Sequence, residues 1–244
     1  MTRTAMSIDT VAVVIPAHNE EALLEECLAS VDRAARAARR KVGEIRVRVV
    51  LDACTDRSAA ITAQRGVPPV SIMARRVGAA RRAGVAAALR DLDPSRLDRV
   101  WTAHTDADSV VPRNWIVHQL ALANGGADVV VGTVRPDFAD LTAEQIRAWK
   151  ATYTRGVANG HVHGANLGVR ADWLELVGGF HPLPEHEDVE LVASLRAAGA
   201  TIVASDAASV RTSGRPIGRT PGGYARYLRE DLLRARPTLD AMTP

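Results

Sequence analysis

Short apolar runs alternate with segments of helical periodicity along the first half of the chain. Residues 11–15 form a continuous apolar run, and residues 20–39 place apolar side chains on one face of a helix. Three similar pairs follow, which are 45–51 with 58–64, 70–73 with 78–89, and 100–103 with 112–123. This alternation predicts an α/β fold in which helices cover both faces of a mostly parallel sheet.

The second half of the chain is less regular. It contains an apolar run at 129–134, a helix that begins at the capping pair Thr142 and Gln145, a helix at about 188–198 and a strand near 201–204. Residues 156–168 are rich in turn-forming residues. Because no repeat or linker interrupts the pattern, we expect residues 1–244 to form a single domain.

Composition is that of an ordinary globular domain, since 47% of the 244 residues are apolar and 24% are charged. No apolar run reaches the roughly 20 residues that span a bilayer, and the N-terminus lacks the pattern of a signal peptide. We therefore expect a cytoplasmic protein with no transmembrane segment. Cys27 and Cys54 are too few for a disulfide framework or a zinc site, so both are expected to be reduced.

Basic residues crowd one segment, although the formal net charge is only +3. They are Arg33, Arg36, Arg39, Arg40, Lys41, Arg46 and Arg48. Such a segment is typical of a solvated helix end, and it also permits peripheral contact with an anionic membrane. Because no aromatic residues lie between the charges, we expect no nucleic-acid partner.

Polar residues follow several predicted strands at the points where those strands end. Residues 16–21 follow the first strand, Asp52 follows the second, and Asp106 and Asp108 follow the fourth. Since the carboxyl ends of parallel strands meet at one edge of a sheet, these side chains are expected to face a common ligand. Two carboxylates can hold Mg²⁺ or Mn²⁺ and leave positions open for phosphate oxygens. The same acidic pair is also typical of an ordinary strand-to-helix turn.

Two further positions suit a nucleotide diphosphate. The Asp52 carboxylate can accept an N–H of a nucleobase, and Arg81 lies near the start of the predicted helix 78–89. A helix N-terminus and a guanidinium both attract a diphosphate. The chain has neither a Walker A loop nor a G-x-G-x-x-G motif, which argues against P-loop ATPases and dinucleotide dehydrogenases.

Six short motifs stand in a fixed order, at residues 11–20, 49–56, 78–81, 106–108, 178–180 and 187–188. Together they resemble the family 2 glycosyltransferases of the GT-A fold, over about residues 10–215. The resemblance implies a Rossmann-like mixed sheet. It also implies an inverting hexosyltransferase that moves a sugar from a nucleotide-diphosphate sugar donor to an acceptor hydroxyl, usually with Mn²⁺ or Mg²⁺. It specifies neither the donor sugar, nor the acceptor, nor the oligomeric state.

On the donor side, the resemblance implies a role for several residues. Pro16, Ala17 and Glu20 match the first nucleotide-binding loop, Asp52 matches the base-binding aspartate, and Arg81 matches the arginine of a helix motif. In the acidic pair, the first aspartate is implied to lie near the ribose and the cation, and the second to be the direct metal ligand.

The chain departs from the family pattern at two donor-side positions. Arg82 replaces the usual asparagine, and Leu51 stands where many members have another aspartate. These departures put the choice of nucleotide in doubt.

On the acceptor side, Gly164 and Asn166 fall in a segment that resembles the loop lining the sugar pocket. A plain glycine turn explains the same residues. Asp188 matches the family's catalytic aspartate, which acts as the base toward the acceptor hydroxyl. Glu187 competes for that role, and a carboxylate at this place also serves as a helix cap.

The resemblance divides the domain into a nucleotide-binding half at about 10–110 and an acceptor-side half at about 111–215. Residues 216–244 form a C-terminal segment, for which mobility is expected. Arg211 and Arg215 precede it and are candidates for phosphate contacts, within a stretch whose glycines permit a mobile lid. A plain surface tail accounts for the same pattern.

Two other classes of protein compete with a glycosyltransferase. A nucleotidyltransferase should carry a glycine-rich basic loop after the first strand, where this chain has Pro-Ala-His-Asn at 16–19. A sugar-nucleotide-binding protein without transferase activity would lose the base. The presence of both Asp108 and Asp188 argues against it.

Overall fold

A computed structural model of the protein describes residues 7–234. Within that range, eight strands form one sheet. The strands are β1 (Thr10–Ala17), β2 (Glu44–Asp52), β3 (Pro69–Ile72), β4 (Val100–His104), β5 (Ser109–Val110), β6 (Val129–Pro136), β7 (Leu167–Arg170) and β8 (Ile202–Thr212). Their order across the sheet is β3-β2-β1-β4-β7-β6-β8-β5.

Helices connect the strands. They are α1 (Leu24–Ala38), α2 (Ser58–Gln64), α3 (Val77–Leu89), α4 (Trp115–Asn124), α5 (Ala143–Thr152), α6 (Ala171–Leu176), α7 (Glu187–Ala197) and the short α8 (Tyr224–Arg226), which continues into a π-helical turn at Tyr227–Asp231. Shorter 3₁₀ segments lie at Pro94–Arg99, Phe138–Asp140 and Gly164–Asn166. The predicted capping pair is confirmed, because Thr142 and Gln145 exchange side-chain to backbone hydrogen bonds at the start of α5.

The predicted α/β architecture is confirmed. In the first half, β1 pairs in parallel with β2 and β4, and β2 pairs in parallel with β3. In the second half, β7 lies antiparallel between β4 and β6, while β6 and β8 are parallel. The sheet is therefore mixed and mostly parallel, as the GT-A resemblance implies.

Strand β1 is buried on both faces of the sheet. Val11, Val13 and Ile15 pack in the main core with α1, whereas Val14 packs on the other face with Val50 and with α3. This burial explains why residues 11–15 read as a continuous apolar run rather than as an alternating one. The carboxyl end of β1 therefore lies between two helix layers, in the middle of the sheet edge.

The basic segment lies at the end of α1 and in β2. Arg33, Arg39, Arg40 and Lys41 are exposed there. Over the described part of the chain, no helix has both the length and the apolar character needed to cross a bilayer. Contact of this segment with an anionic membrane stays a prediction.

Candidate active site

The acidic residues predicted at the strand ends lie around shared arginine side chains. Glu20 follows β1, and Asp106 and Asp108 follow β4. Arg215 contacts both Glu20 and Asp108, and Arg81 contacts Asp106. The parallel strand order brings these groups to one edge of the sheet because β1 and β4 are neighbours.

The two aspartates of the D-x-D motif have different surroundings. The Asp106 side chain is 37% exposed, and its Oδ1 lies 2.5 Å from Nη2 of Arg81. The Asp108 side chain is 15% exposed, and its Oδ2 lies 2.9 Å from Nη2 of Arg215. Burial raises the pKa of Asp108 to about 6, against the opposing effect of the Arg215 charge.

Arg81 is a buried connection between the two halves of the site. Its Nε donates to Oε1 of Glu187 at 2.9 Å, and its side chain is only 1% exposed. Burial raises the pKa of Glu187, and the neighbouring Arg81 charge opposes that rise. Arg81 was predicted to meet a diphosphate. Its two partners in the structure are the carboxylates of Asp106 and Glu187, and its contact with a diphosphate stays a prediction.

Two glycines make this burial of Arg81 possible. A Cβ on Gly164 would lie 2.4 Å from Nη2 of Arg81, so only glycine leaves room for the guanidinium. A Cβ on Gly78 would lie 2.0 Å from the carbonyl oxygen of His181, in the loop before α7. Gly78 therefore lets the start of α3 approach that loop, which places Arg81 next to Glu187.

Asp188 lies in the first turn of α7 and is held by two backbone amides. Its Oδ2 accepts the N–H of Gly164 at 2.6 Å, and its Oδ1 accepts the N–H of Val189 at 2.8 Å. His186, the residue just before α7, has a left-handed backbone with φ of 60°. The carboxylate is thus oriented by the loop at 163–166 as well as by its own helix, and each oxygen keeps a further lone pair.

Asn166 has a structural environment. Its Nδ2 donates to the carbonyl oxygens of Thr133 and Ala208, and its Oδ1 accepts from Nε1 of Trp115. The residue is 2% exposed, and these bonds use its amide hydrogens. These bonds hold the turn that carries Gly164, and contact of Asn166 with the sugar stays a prediction.

Asp52 shapes the turn before α3. Its two carboxylate oxygens accept the backbone N–H groups of Arg75 and Arg76, at 2.8 and 2.9 Å. It is 4% exposed. Pro16 and the buried Ala17 end β1 beside β2, at the same edge of the sheet. Their contact with a nucleotide stays a prediction.

The stretch that follows β8 is here called the strap and comprises residues 213–222. Arg215 donates to both oxygens of Glu20 at 2.8 Å, and Arg219 donates to the same carboxylate at 3.1 Å. At its far end, the N–H of Gly222 donates to Glu185, in the loop before α7. The strap therefore connects Glu20, which follows β1, with the loop before α7, the helix that carries Asp188.

The sequence analysis missed Arg219, and a phosphate contact of Arg211 stays a prediction. Arg211 forms ion pairs with Asp137 and Glu26, so its guanidinium has partners other than a phosphate. Arg219 lies four residues after Arg215, in a stretch that is rich in arginine and glycine. That composition was the one feature of the sequence that could have indicated Arg219 as a candidate. The predicted mobility of residues 216–244 is untested, and residues 235–244 lie outside the described part of the chain.

The acidic pair fits a cation that arrives with a diphosphate. Among residues 7–234, no three His, Cys, Asp or Glu side chains are arranged to hold a metal ion. Asp106 and Asp108 nevertheless supply hard oxygen donors at one turn. Mg²⁺ is commonly bound by one or two carboxylates together with substrate phosphates, and this donor set matches that pattern.

Comparison with known proteins supports the same family. The family model described as "Glycosyl transferase family 2" matches residues 12–170. No curated protein matches the sequence significantly.

Three solved structures illustrate the likeness in fold. Staphylococcus aureus TarS 1–349 in complex with UDP-GlcNAc is 15% identical with a TM-score of 0.66, and the match covers 89% of this chain and 62% of that chain. The mannosyltransferase PcManGT from Pyrobaculum calidifontis, in complex with GDP-Man and Mn²⁺, is 21% identical with a TM-score of 0.59, at coverages of 88% and 60%.

The third is glucosyl-3-phosphoglycerate synthase from Mycobacterium tuberculosis in complex with UDP. It is 19% identical with a TM-score of 0.60, and the match covers 93% of this chain and 79% of that chain. At these identities the likeness concerns the fold alone. The chain spans about three fifths of the length of the TarS and PcManGT structures.

Proposed function

The chain belongs to the family 2 glycosyltransferases, and from this premise we propose that it transfers a sugar from a nucleotide-diphosphate donor to an acceptor hydroxyl with inversion, assisted by a divalent cation. One observation carries the proposal. Arg81 contacts Asp106 of the D-x-D motif, and it also contacts Glu187, which directly precedes Asp188. One guanidinium therefore lies between the motif proposed to face the donor and the helix turn that carries the proposed base.

The chemistry requires a base on the acceptor side. The acceptor oxygen forms a bond to the anomeric carbon while the bond from that carbon to the diphosphate breaks, and the hydroxyl proton passes to the base. Asp188 suits this task because two backbone N–H groups fix its carboxylate and leave lone pairs for the hydroxyl. A single displacement of this kind inverts the anomeric configuration.

The leaving diphosphate needs positive charge on the donor side. Asp106 and Asp108 would hold a divalent cation, which neutralises the charge that develops on the diphosphate when it leaves. Arg215 and Arg219 add guanidinium groups to the same region. Similar folds have been solved with UDP-GlcNAc and with GDP-Man and Mn²⁺, so UDP and GDP sugars are the first donors to screen.

Turnover with a donor panel tests the function. The protein is screened by thermal shift with UDP and GDP sugars in Mn²⁺, because a ligand that binds the native state raises its apparent stability. The stabilising donors are then incubated with candidate acceptors. Release of nucleoside diphosphate with a glycosylated product is the expected result. Pyrophosphate release would identify a nucleotidyltransferase, and binding without turnover would identify a binding protein.

Replacing Asp52 with alanine should weaken nucleotide binding by about 1–3 kcal/mol, the range for a hydrogen bond to a charged group. The expected cause is loss of the acceptor for the base N–H. Calorimetric titration with nucleoside diphosphate and Mn²⁺ measures it. Asp56→Ala is the matched control, because Asp56 also accepts two backbone N–H groups, those of Glu21 and Ser58. Equal affinities of the two variants would refute base binding by Asp52.

Replacing Asp108 with alanine should abolish the metal-dependent part of nucleoside diphosphate binding, because it removes the direct ligand. The measurement is calorimetry in Mn²⁺ and in a chelator. Glu144→Ala, at an exposed position in the first turn of α5, serves as the control for loss of one carboxylate. An Asp108→Ala protein whose affinity still rises with Mn²⁺ would contradict the assignment.

A further inference from the structure

Arg215 occupies the carboxylate that a cation would use. Its Nη2 lies 2.9 Å from Oδ2 of Asp108, and the same nitrogen lies 2.8 Å from Oε1 of Glu20. The other oxygen of Asp108 accepts the hydroxyls of Thr212 and Ser109, at 3.3 and 3.4 Å. Both oxygens of the proposed metal ligand therefore have partners from the protein itself.

The charges around this contact are nearly balanced. The group consists of four carboxylates and three guanidinium groups, which are Glu20, Asp106, Asp108 and Glu187 with Arg81, Arg215 and Arg219. One negative charge is in excess when all are ionised. A divalent cation added alone would place two further positive charges beside Arg215, whereas a cation that arrives with a diphosphate adds no net charge to the group.

We propose that Arg215 and the divalent cation are alternative partners of Asp108, so that the cation binds strongly only together with a diphosphate. The inference rests on the proposed function, because it takes the D-x-D motif as the cation site. A guanidinium at 2.9 Å from Asp108 and a cation on the same carboxylate would repel each other at close range. The guanidinium must therefore leave Asp108 when the cation binds.

The released guanidinium stays near the donor. Its Nη1 also donates to Oε2 of Glu20. Glu20 is 5% exposed, and its backbone N–H donates to Oγ of Ser58. This second contact tethers Arg215 beside the site, where the incoming diphosphate is its natural new partner. A donor with a cation brings two negative and two positive charges, so the charge balance of the site is kept. Cation and diphosphate are thereby coupled in binding.

The test measures Mn²⁺ binding to the nucleotide-free protein. The electron paramagnetic resonance signal of hydrated Mn²⁺ reports the amount of unbound ion. Arg215→Gln should bind Mn²⁺ about tenfold more tightly than wild type, because one charge-assisted contact no longer competes. Arg215→Lys keeps the charge but loses the two-nitrogen contact, so its Mn²⁺ affinity should lie between those of wild type and Arg215→Gln. The double variant Arg215→Gln with Asp108→Asn should lose the gain in Mn²⁺ affinity that Arg215→Gln shows alone.

Arg219→Gln is the matched control for the loss of one positive charge near the site. Arg219 pairs with Glu20, and its side chain is 47% exposed, so its removal should alter Mn²⁺ affinity by no more than about twofold. A second readout is the factor by which UDP tightens Mn²⁺ binding, which should be smaller in Arg215→Gln than in wild type. Thermal unfolding monitored by circular dichroism verifies that each variant is folded.

Mn²⁺ affinity in Arg215→Gln that equals or falls below that of wild type would overturn the inference. The same holds if Arg219→Gln produces an equal gain, because bulk charge would then explain the effect. Should wild type transfer sugar while Arg215→Gln gains no Mn²⁺ affinity, the proposed function stands and the competition at Asp108 is refuted. Absence of transfer together with tighter Mn²⁺ binding in Arg215→Gln would refute the function alone.

Discussion

Replacing Arg81 with methionine is expected to lower the free energy of unfolding by about 3–5 kcal/mol, the range measured when one partner of a buried ion pair is removed. Methionine keeps much of the side-chain volume, so the loss arises from charge. Glu187, whose side chain is 5% exposed, would be left as an unpaired buried carboxylate. Loss of the contact with Asp106 contributes less to the fall in the free energy of unfolding, because the Asp106 side chain is 37% exposed and water can replace the arginine.

Urea unfolding followed by circular dichroism measures this effect. Arg82→Met is the matched control, since Arg82 is the next residue of α3 and is exposed. It should change the free energy of unfolding by less than about 0.5 kcal/mol. The double variant Arg81→Met with Glu187→Gln should be more stable than Arg81→Met alone, because no buried charge is orphaned. Equal losses in Arg81→Met and Arg82→Met would show that the buried pair is unimportant.

Arg81 also marks where sequence reasoning stopped. Its place near the start of a helix predicted a diphosphate contact, because both features are positive. Its actual partner Glu187 is 106 residues away along the chain, and nothing local indicates that pairing. Close packing through Gly78 and Gly164 creates it. A helix-start arginine can thus serve as an internal counter-ion once the topology brings a buried carboxylate to it.

The centre of the first half was predictable because β1 and β4 are buried on both faces. The run at 11–15 corresponds to β1 and the run at 100–103 to β4, each with small differences at the ends. Parallel strands of this kind read as continuous apolar segments, and their carboxyl ends share one sheet edge. The D-x-D motif and Asp52 could therefore be placed at that edge from the sequence.

The second half was less predictable because tertiary pairing decides its strands. β7 has four residues, of which Leu167 and Val169 are fully buried. Its first two residues fall in the stretch 156–168 that was predicted to be rich in turns. It forms by inserting antiparallel between β4 and β6. β8 continues through polar residues to Thr212, well beyond the predicted 201–204. That extension delivers the strap to Asp108, so the contact of Arg215 had no local signal.

Replacing Asp188 with asparagine is expected to reduce turnover by about 10²–10⁴-fold, the usual contribution of general base catalysis. Asparagine matches the volume of aspartate and can still accept one of the two backbone N–H groups, from Gly164 or Val189. It cannot take the proton of the acceptor hydroxyl. Donor affinity should hardly change, because the proposed donor contacts lie on Asp106 and Asp108. Steady-state kinetics on an identified acceptor and calorimetry with the donor separate the two effects.

Two variants on the same helix sharpen this test. Glu187→Gln should keep more activity than Asp188→Asn, because Glu187 is occupied by Arg81 and acts through position rather than by accepting the proton. Glu190→Gln, whose side chain is 41% exposed and pairs with His181, should stay near wild-type turnover. Because one base and one displacement leave no covalent intermediate, NMR of the product should find the anomer inverted relative to the donor. Near-normal turnover in Asp188→Asn, or a retained anomer, would exclude this mechanism even with the family assignment intact.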